Sequence, residues 1–444
     1  MPSSRPLEES HGATGATTSM MQMLKDLTPL NRAVCSSDYD ATIAYLAERL
    51  PFRVIEYGAG EEYNGWVIPP KWDLKAAKIL RGDAVVYDGM WHPLAVIALS
   101  APFRGRVDRE ELRRHLHYDH RYDDSIAFHF RQTYRSWRRD WGFCVPKTLY
   151  DGLPAGEYDV VIETEESEGT LRMLELTHPG ASEETIVFGA NLDHPGVAND
   201  GVAGVVVGIE LFRRLAGRAT KFTYKLVLSQ GIIGSEYYLG KQSPAERGKI
   251  MEGVFLEMLG SDTQLGFQAS REARSNIEYA VGRALDELRA LCRTGPFESI
   301  ILNDEYIWEA YGIPMASLSR FPYPEYHSSR DDVSIISERN LFQAVDVLER
   351  AIGILEESSL IRKRFAGNIC LSNPRYDLYV DVGQVAFGEV ASDDQRRMRL
   401  LMDLVPTLDR PVTSRALAER VGLPEARVLS YLRKWADKGL LEIR

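Results

Sequence analysis

The chain has 444 residues, enough for about two or three domains with a sizeable core. Its net charge of −11 at pH 7 argues against a nucleic-acid-binding surface over the whole chain, because such proteins are usually basic. No apolar run approaches the roughly 20 residues of a membrane span, and the 4 cysteines form no CxxC pair. This cysteine pattern is typical of a reducing compartment, so the expected location is the cytoplasm.

The N-terminal part of the chain changes character twice. Residues 1–18 are rich in Ser, Gly and Thr and lack an apolar signal core, which predicts a disordered leader. Helical spacing of apolar residues follows in 19–52. In residues 53–119, short apolar runs are separated by Gly, Pro and Asp, which predicts a small β-rich insertion. The runs interpreted as strands are 54–55, 66–68, 84–87 and 94–97.

The following part of the chain alternates between strands and helices. This rhythm predicts an α/β domain made of residues 19–52 and 120–365. Two neighbouring runs, 158–162 and 171–176, are interpreted as a strand pair. The other predicted strands are 185–190, 222–228, 253–256 and 315–318, and the main predicted helices are 201–215 and 341–360.

The last segment, 366–444, is predicted to form a winged-helix module. Three helical patterns are followed by a short strand at 439–443, which is the layout of that module. Arg427 and Arg433 on its third helix are interspersed with acidic residues. The module is therefore interpreted as a packing or oligomer contact, since DNA binding needs several cations that neutralise phosphates.

Two clusters of metal-binding residue types lie far apart in the chain. Asp193, His194 and Asp200 follow one predicted strand, and His327 lies in the segment 323–332 after another. Imidazole nitrogen and carboxylate oxygen are ligands that Zn²⁺ accepts. Because open α/β sheets bind ligands at the carboxyl ends of their strands, these side chains are expected to meet there. The sequence therefore predicts a zinc site.

The motifs around these residues support a resemblance to a known family. The chain resembles a bacterial aminopeptidase-like branch of the zinc aminopeptidases, over about residues 30–444. The resemblance implies an αβα sandwich around a mostly parallel sheet, with a small β-rich insertion and a C-terminal winged helix. The matching stretches are 69–72, 139–144, 194–200, 233–235, 303–305 and 323–332.

The resemblance also implies roles for individual residues. His194, Asp200, Glu257 and His327 correspond to the zinc ligands. One departure concerns a further ligand, because Asn191 stands where the wider family has histidine.

A second departure concerns the catalytic glutamate expected on the strand before Gly234. No carboxylate stands there until Glu236. Because amide hydrolysis normally uses a carboxylate to move the proton, Glu305 is the predicted substitute and Asp193 the second candidate.

Substrate contacts are predicted for five side chains near these motifs. Tyr326 or Arg330 is expected to stabilise the oxyanion. Arg131 or Arg135 is expected to bind a substrate carboxylate, with a packed linker as the alternative interpretation of their segment. Asp304, next to the predicted proton shuttle, is a further candidate for substrate binding.

Together these features predict a zinc-dependent hydrolase of an amide bond in a small amine-bearing molecule or short peptide. That substrate is the expected partner, nucleic acid and membrane are not expected, and a homo-oligomer stays open. Two alternatives also stay open. One is an inactive, ligand-sensing protein that acts through its winged helix. The other is a specialised biosynthetic enzyme whose chemistry differs because the glutamate is missing.

Overall fold

The computed structural model describes residues 18–381 and 391–444, so the predicted leader lies outside the described residues except for Thr18. The helices are α1 (Met20–Leu27), α2 (Ser37–Ala47), α3 (Arg109–Arg114), α4 (Lys147–Gly152), α5 (Gly204–Leu215), α6 (Ile233–Gly240), α7 (Pro244–Arg247), α8 (Asn276–Glu287), α9 (Glu305–Ala310), α10 (Glu338–Glu357), α11 (Asp393–Leu404), α12 (Ser414–Val421) and α13 (Glu425–Asp437).

The strands are β1 (Arg53–Gly58), β2 (Glu62–Tyr63), β3 (Trp66–Val67), β4 (Lys71–Arg81), β5 (Ala84–Asp88), β6 (Phe103–Asp108), β7 (Leu116–His117), β8 (Phe143–Cys144), β9 (Glu157–Ser167), β10 (Thr170–His178), β11 (Thr185–Asn191), β12 (Thr223–Ser229), β13 (Ile250–Leu256), β14 (Leu265–Gln268), β15 (Cys292–Gly295), β16 (Met315–Ser319), β17 (Leu360–Lys363), β18 (Val412–Thr413) and β19 (Leu441–Ile443).

A mixed sheet of 8 strands forms the centre of the molecule, in the order β1-β10-β12-β11-β13-β16-β14-β15. Its central strands β12, β11, β13 and β16 run parallel to one another. The strands toward one edge, β1 and β10, are antiparallel to their neighbours. The carboxyl ends of the four central strands therefore meet at one edge of the sheet, where ligands bind in open α/β folds.

Helices cover both faces of this sheet, which makes an αβα sandwich. On β11, Ile186 and Phe188 are buried in one core together with residues of α1, α5, α8 and α10. Val187 points to the opposite face and is buried in a second core with Tyr237 of α6 and Trp308 of α9. The alternation follows from the two-residue period of a strand, and full burial on both sides explains why β11 is apolar along its length.

A second, smaller sheet has the order β5-β4-β9-β6. The prediction of a pair between 158–162 and 171–176 is wrong, because β9 pairs with β4 and β6 whereas β10 pairs with β1 and β12 in the central sheet. The run 94–97 is not a strand either, since Pro93–Ala95 form a 3-10 turn. Strand β1, placed in the insertion by its sequence, lies at the edge of the central sheet.

The C-terminal helices α12 and α13 meet at a tight turn, where Gly422 adopts a left-handed conformation with φ +66°. Strands β18, β17 and β19 form a sheet beside them. Strand β17 lies in this sheet although its residues fall within the segment 120–365 predicted for the α/β domain. The order of helices and final strand is the one expected for a winged helix, and that assignment stays a prediction.

None of the helices in the described residues combines the length and low charge needed to cross a bilayer.

The assignment of the central core can be tested by measuring the free energy of unfolding of two leucine variants. Leu226 of β12 is fully buried, whereas Leu291 is 82% exposed. We expect Leu226→Ala to lower the free energy of unfolding by about 2–5 kcal/mol through lost burial and a residual cavity. Leu291→Ala, the same chemical change at the surface, should stay within about 0.5 kcal/mol of the parent. Urea unfolding followed by circular dichroism measures both, and equal effects would contradict the assigned core.

Candidate metal centre

Three side chains from distant parts of the chain meet at the carboxyl edge of the central sheet. Nitrogen and oxygen atoms of His194, Asp200 and His327 all lie within 4.8 Å of one another. Asp200 Oδ2 is 3.1 Å from Nε2 of His327 and 3.7 Å from Nε2 of His194. Throughout residues 18–381 and 391–444, no other group of three such side chains meets in this way.

The geometry of this group fits a zinc ion. Two ligands at about 2.0–2.1 Å from a tetrahedral ion lie roughly 3.3 Å apart, close to the separations between Asp200 and the two imidazoles. The Oδ2 atom of Asp200, which faces Nε2 of both histidines, is buried and makes no hydrogen bond. Because buried polar atoms are almost always satisfied, an atom with no partner here is explained by a ligand. Two imidazoles and one carboxylate are the three protein ligands typical of catalytic zinc.

The backbone around Asp200 is irregular, which turns its side chain toward the histidines. Asp200 and the following Gly201 leave helical geometry, with Gly201 at φ +100°. A side chain at this φ would be strained, so glycine permits the turn just before α5. His327 is also left-handed, at φ +55°, and its carbonyl oxygen accepts a hydrogen bond of 3.0 Å from the Phe128 N–H.

Asp331 holds the turn that carries the metal ligand. Its carboxylate accepts hydrogen bonds from the backbone N–H groups of Ala198 at 3.2 Å, Asn199 at 2.6 Å and Asp200 at 3.0 Å. The hydroxyl of Tyr323 donates a fourth, at 2.5 Å. Burial raises the pKa of Asp331 to about 7, although these donors favour the ionised form. This carboxylate thus ties the loop after β16 to the loop after β11.

Arg32 holds the other half of the same loop from inside the protein. It is fully buried, and its guanidinium donates to four backbone carbonyl oxygens, including those of Leu192, His194 and Val197. Burial lowers the pKa of this guanidinium to about 10. No sequence pattern around Arg32 predicts that it binds these carbonyl oxygens. Asp331 lies in the segment 323–332, four residues after His327. The sequence therefore places it near the site but does not predict its hydrogen bonds.

Glu257 and Glu305 form a second acidic pair next to the three ligands. Glu257 is not one of the three converging side chains. Its pKa is raised first by burial and then by the nearby charges of Glu305 and Asp200. Asn303 bridges the pair, because its Nδ2 donates to Glu257 at 2.8 Å and its backbone N–H to Glu305 at 2.9 Å. Burial raises the pKa of Glu305 to about 7, and its Oε1 has no hydrogen-bond partner.

The position of the missing histidine is filled by an amide network. Asn191 Nδ2 donates to Asn303 Oδ1 at 3.3 Å and to Asp304 Oδ2 at 3.2 Å. Asp304 also accepts from the backbone N–H of Ile232, and burial raises its pKa to about 6. The adjacent carboxylate of Asp193 lies 3.6 Å from His194 Nδ1. Residues 303–305 therefore hold the side chain of Asn191 by hydrogen bonds.

The imidazoles are covered by aromatic rings. Phe128 lies with its centroid 5.5 Å from that of His194 and 5.1 Å from that of His327. Phe130 is 5.3 Å from His327, and Tyr326 stacks on His327 at 3.9 Å. These rings shield the ligand group from water on the side of residues 126–134, a segment we call the strap.

The strap is fastened to the loop that carries His327. The Ile126 N–H donates to Ser329 Oγ at 3.1 Å, and Ala127 forms a β-bridge with Ser328. At its far end, Tyr134 packs edge-on against Trp66 of the β2–β3 hairpin, with centroids 6.1 Å apart. Contacts thus join the strap to the loop of His327 at one end and to the β2–β3 hairpin at the other.

The other predicted substrate contacts are placed differently. Tyr326 and Asp304 lie beside the ligand group, as described above. Arg330 is exposed and pairs with Asp124 at 2.6 Å, so the structure directs it away from the imidazoles. Arg131 is exposed at the start of the turn in the strap. The structure thus brings neither arginine into the ligand group.

Comparison with solved structures defines the class of fold. A Clostridium acetobutylicum protein described as a "putative peptidase" superposes with a TM-score of 0.73 at 19% identity, covering 96% of both chains. BSAP, a zinc aminopeptidase from Bacillus subtilis, gives 0.56 at 13% identity over 76% of this chain and 95% of its own. A Shewanella amazonensis peptidase M28 precursor gives 0.54 at 15% identity, over 77% and 93%. The chain therefore has the zinc-aminopeptidase fold.

The family follows from the sequence match. The family model described as "Domain of unknown function (DUF4910)" matches residues 21–358, and the chain belongs to this family. A curated relative from Clostridium acetobutylicum is 23% identical over 342 residues, which cover 76% of this chain and 77% of the relative. That protein is named "Putative polysaccharide biosynthesis protein with aminopeptidase-like domain".

The role of the Asp331 carboxylate can be tested by Asp331→Asn. The amide has one acceptor oxygen and cannot satisfy three N–H groups and a phenol, so the Asp200 turn should loosen. We expect zinc affinity to fall about 10–100-fold, as for other changes behind a ligand. Competition with a chromophoric chelator measures it. Asp332→Asn, at the exposed neighbouring residue, is the control, and equal affinities in the two variants would refute the role.

Proposed function

We propose that the protein is a zinc-dependent hydrolase of amide bonds in small, amine-bearing molecules or short peptides. The observation that carries this proposal is the convergence of His194, Asp200 and His327 at the carboxyl edge of the sheet, around the unsatisfied Oδ2 atom of Asp200. The zinc-aminopeptidase fold supports the same chemistry. Bound at this group, zinc lowers the pKa of a water molecule and polarises a carbonyl oxygen.

The residues around the ligands divide the remaining tasks. Glu305 takes a proton from the attacking water and returns it to the leaving amine, because it is buried, has a free Oε1 and has a pKa near neutrality. Asp193 is the second candidate for this step. Glu257 is a further candidate ligand, because its Oε1 atom is buried without a hydrogen-bond partner and a bound cation would favour its ionised form.

Substrate size is limited by the aromatic rings of the strap and by Tyr326 from the loop that carries His327. Phe128, Phe130 and Tyr326 crowd the imidazoles at 3.9–5.5 Å between centroids. We expect this crowding to favour a terminal residue or a small molecule over a folded protein loop. The carboxylates of Asp193 and Asp304 beside the ligands favour a substrate with a positively charged amine near the scissile bond.

The regulatory alternative assigns nucleic-acid binding to the C-terminal module. Several of its cations are already paired: Arg427 lies 3.2 Å from Asp394, and Arg415 contacts Glu357 at 2.8 Å. Paired cations contribute less to phosphate binding, which favours the hydrolase over a DNA-binding role. The location in the cytoplasm and a homo-oligomeric state remain predictions from the sequence.

Removal of an imidazole ligand tests the metal centre. His194→Ala and His327→Ala should each abolish stoichiometric zinc binding and amide hydrolysis. Catalytic zinc is held by three protein ligands, and two remaining ligands bind it too weakly. Zinc content by mass spectrometry and hydrolysis of aminoacyl-amide substrates are the measurements. His120→Ala, at an exposed histidine, should behave like the parent protein. A parent protein that is metal-free and inert would exclude the hydrolase.

The proton shuttle predicts a pH dependence. Glu305 acts as a base only when ionised, and burial raises its pKa to about 7, so kcat/KM should fall as the pH drops below about 7. Glu305→Gln should lower kcat by about 10²–10⁴-fold while zinc stays bound. A zinc-loaded Glu305→Gln enzyme with normal kcat would assign the proton transfer to another group, and the same change at Asp193 would then decide.

A further inference from the structure

The segment 119–130, which includes the first part of the strap, lies along the loop that carries His327. The Tyr122 hydroxyl donates a hydrogen bond of 3.0 Å to the carbonyl oxygen of Pro324. Further along the segment, the Phe128 N–H donates to the carbonyl oxygen of His327 at 3.0 Å. The segment therefore contacts the metal-ligand loop at more than one point, although the two lie far apart in the chain.

Arg121 of this segment binds two further carbonyl oxygens of the same loop. Its Nη1 donates to Pro324 at 3.1 Å, and its Nη2 donates to Tyr326 at 2.6 Å. The carbonyl of Tyr326 belongs to the peptide group that joins Tyr326 to His327. Arg121 therefore holds the peptide group that directly precedes a metal ligand.

The guanidinium of Arg121 is itself fixed by a buried carboxylate. Asp119 is 6% exposed and accepts from Nε of Arg121 at 2.9 Å and from Nη2 at 2.7 Å. Burial would raise the pKa of Asp119, but the hydrogen bonds from Arg121 hold it below its usual value, so the carboxylate stays ionised. A bidentate pair of this kind fixes the orientation of the guanidinium plane. Arg121 is thus held in one orientation although its side chain is 44% exposed.

His327 depends on such contacts because its backbone is left-handed, with φ +55°. This conformation is unfavourable for a residue other than glycine and persists only where the surrounding structure imposes it. Both peptide groups that flank His327 are bound from the segment 119–130, the preceding one by Arg121 and the following one by the Phe128 N–H. In this conformation, Nε2 of His327 lies 3.1 Å from Oδ2 of Asp200.

We propose that Arg121, held by Asp119, is a positioning residue that keeps His327 in the conformation in which it can bind zinc. The proposal rests on the metal centre proposed above. Without the guanidinium, the peptide group before His327 is free to rotate, and the imidazole leaves the ligand group. Asp331 acts on the other loop, since it binds the turn that carries Asp200. Separate carboxylates thus position the ligands of the two loops.

The substitution that tests this role is Arg121→Lys. Lysine keeps a positive charge beside Asp119 but lacks the planar set of donors that binds a carboxylate and two carbonyl oxygens together. The matched control is Arg106→Lys. Arg106 also forms a bidentate pair, with Asp159 at 2.9 and 3.1 Å, but this pair joins β6 to β9 and contacts neither metal-ligand loop.

The first measurement is zinc affinity of the full chain by competition with a chromophoric chelator. We expect Arg121→Lys to bind zinc about 10-fold more weakly, as for other changes behind a metal ligand, and Arg106→Lys to bind it like the parent. Melting temperatures with and without zinc separate positioning from general stability. Because stabilisation by a ligand depends on its Kd, the rise caused by zinc should shrink in Arg121→Lys alone. Equal zinc affinities in the two variants, or a melting temperature lowered equally with and without zinc, would overturn the proposal.

Hydrogen exchange of the zinc-free chain tests the same contact without metal. We expect the Phe128 N–H, whose acceptor is the carbonyl of His327, to exchange about 5-fold faster in Arg121→Lys, the effect of roughly one lost hydrogen bond. Exchange as slow as in Arg106→Lys would also overturn the positioning role. A parent chain that binds no zinc would exclude the metal centre itself, whereas faster exchange at Phe128 in Arg121→Lys would still support Arg121 as the residue that fixes the loop.

Discussion

The metal ligands depend on one interaction, the clamp of the Asp331 carboxylate on three consecutive backbone N–H groups. The turn that carries Asp200 leaves helical geometry at two residues, and the N–H groups at its start are bound by this carboxylate. The clamp comes from the same loop as His327, so the ligands on the two loops are positioned together. Arg32 fixes the preceding residues of the turn by binding their carbonyl oxygens. Asp331 thus binds N–H groups of this loop, and Arg32 binds its carbonyl oxygens.

This arrangement concentrates carboxyl groups in the interior. Asp200, Glu257, Asp304 and Glu305 are all buried within a small volume, and burial raises the pKa of the last three. The guanidinium of Arg32 does not neutralise them, because its donors are bound to carbonyl oxygens. Several kcal/mol per ion is the cost of burying unpaired charge. A divalent cation offsets that cost, which explains why the polar atoms of the pocket are left without protein partners.

The sequence predicts those parts of the protein that local pattern determines. Strand β11 and the ligands after it were readable because an apolar run is followed directly by Asp, His and Asn-Asp. The location of β9 was not, because its alternation suits either sheet and only long-range pairing with β4 and β6 decides. The exposure of Arg330 was not readable either. Its partner Asp124 is 206 residues away, and nothing in the local sequence marks such a contact.

Loss of a ligand histidine changes what the pocket can do. Asn191 cannot bind zinc as an imidazole does, yet its side chain remains engaged with Asn303 and Asp304. The segment 303–305 thereby gains a fixed position beside the metal ligands, with Glu305 as its last residue and Asn303 bridging it to Glu257. Glu305 is the first residue of α9, so its carboxylate comes from a different element than a carboxylate at the end of β12 would. The position of the Glu305 carboxylate is therefore set by α9 and by the hydrogen bond from Asn303, and not by strand β12.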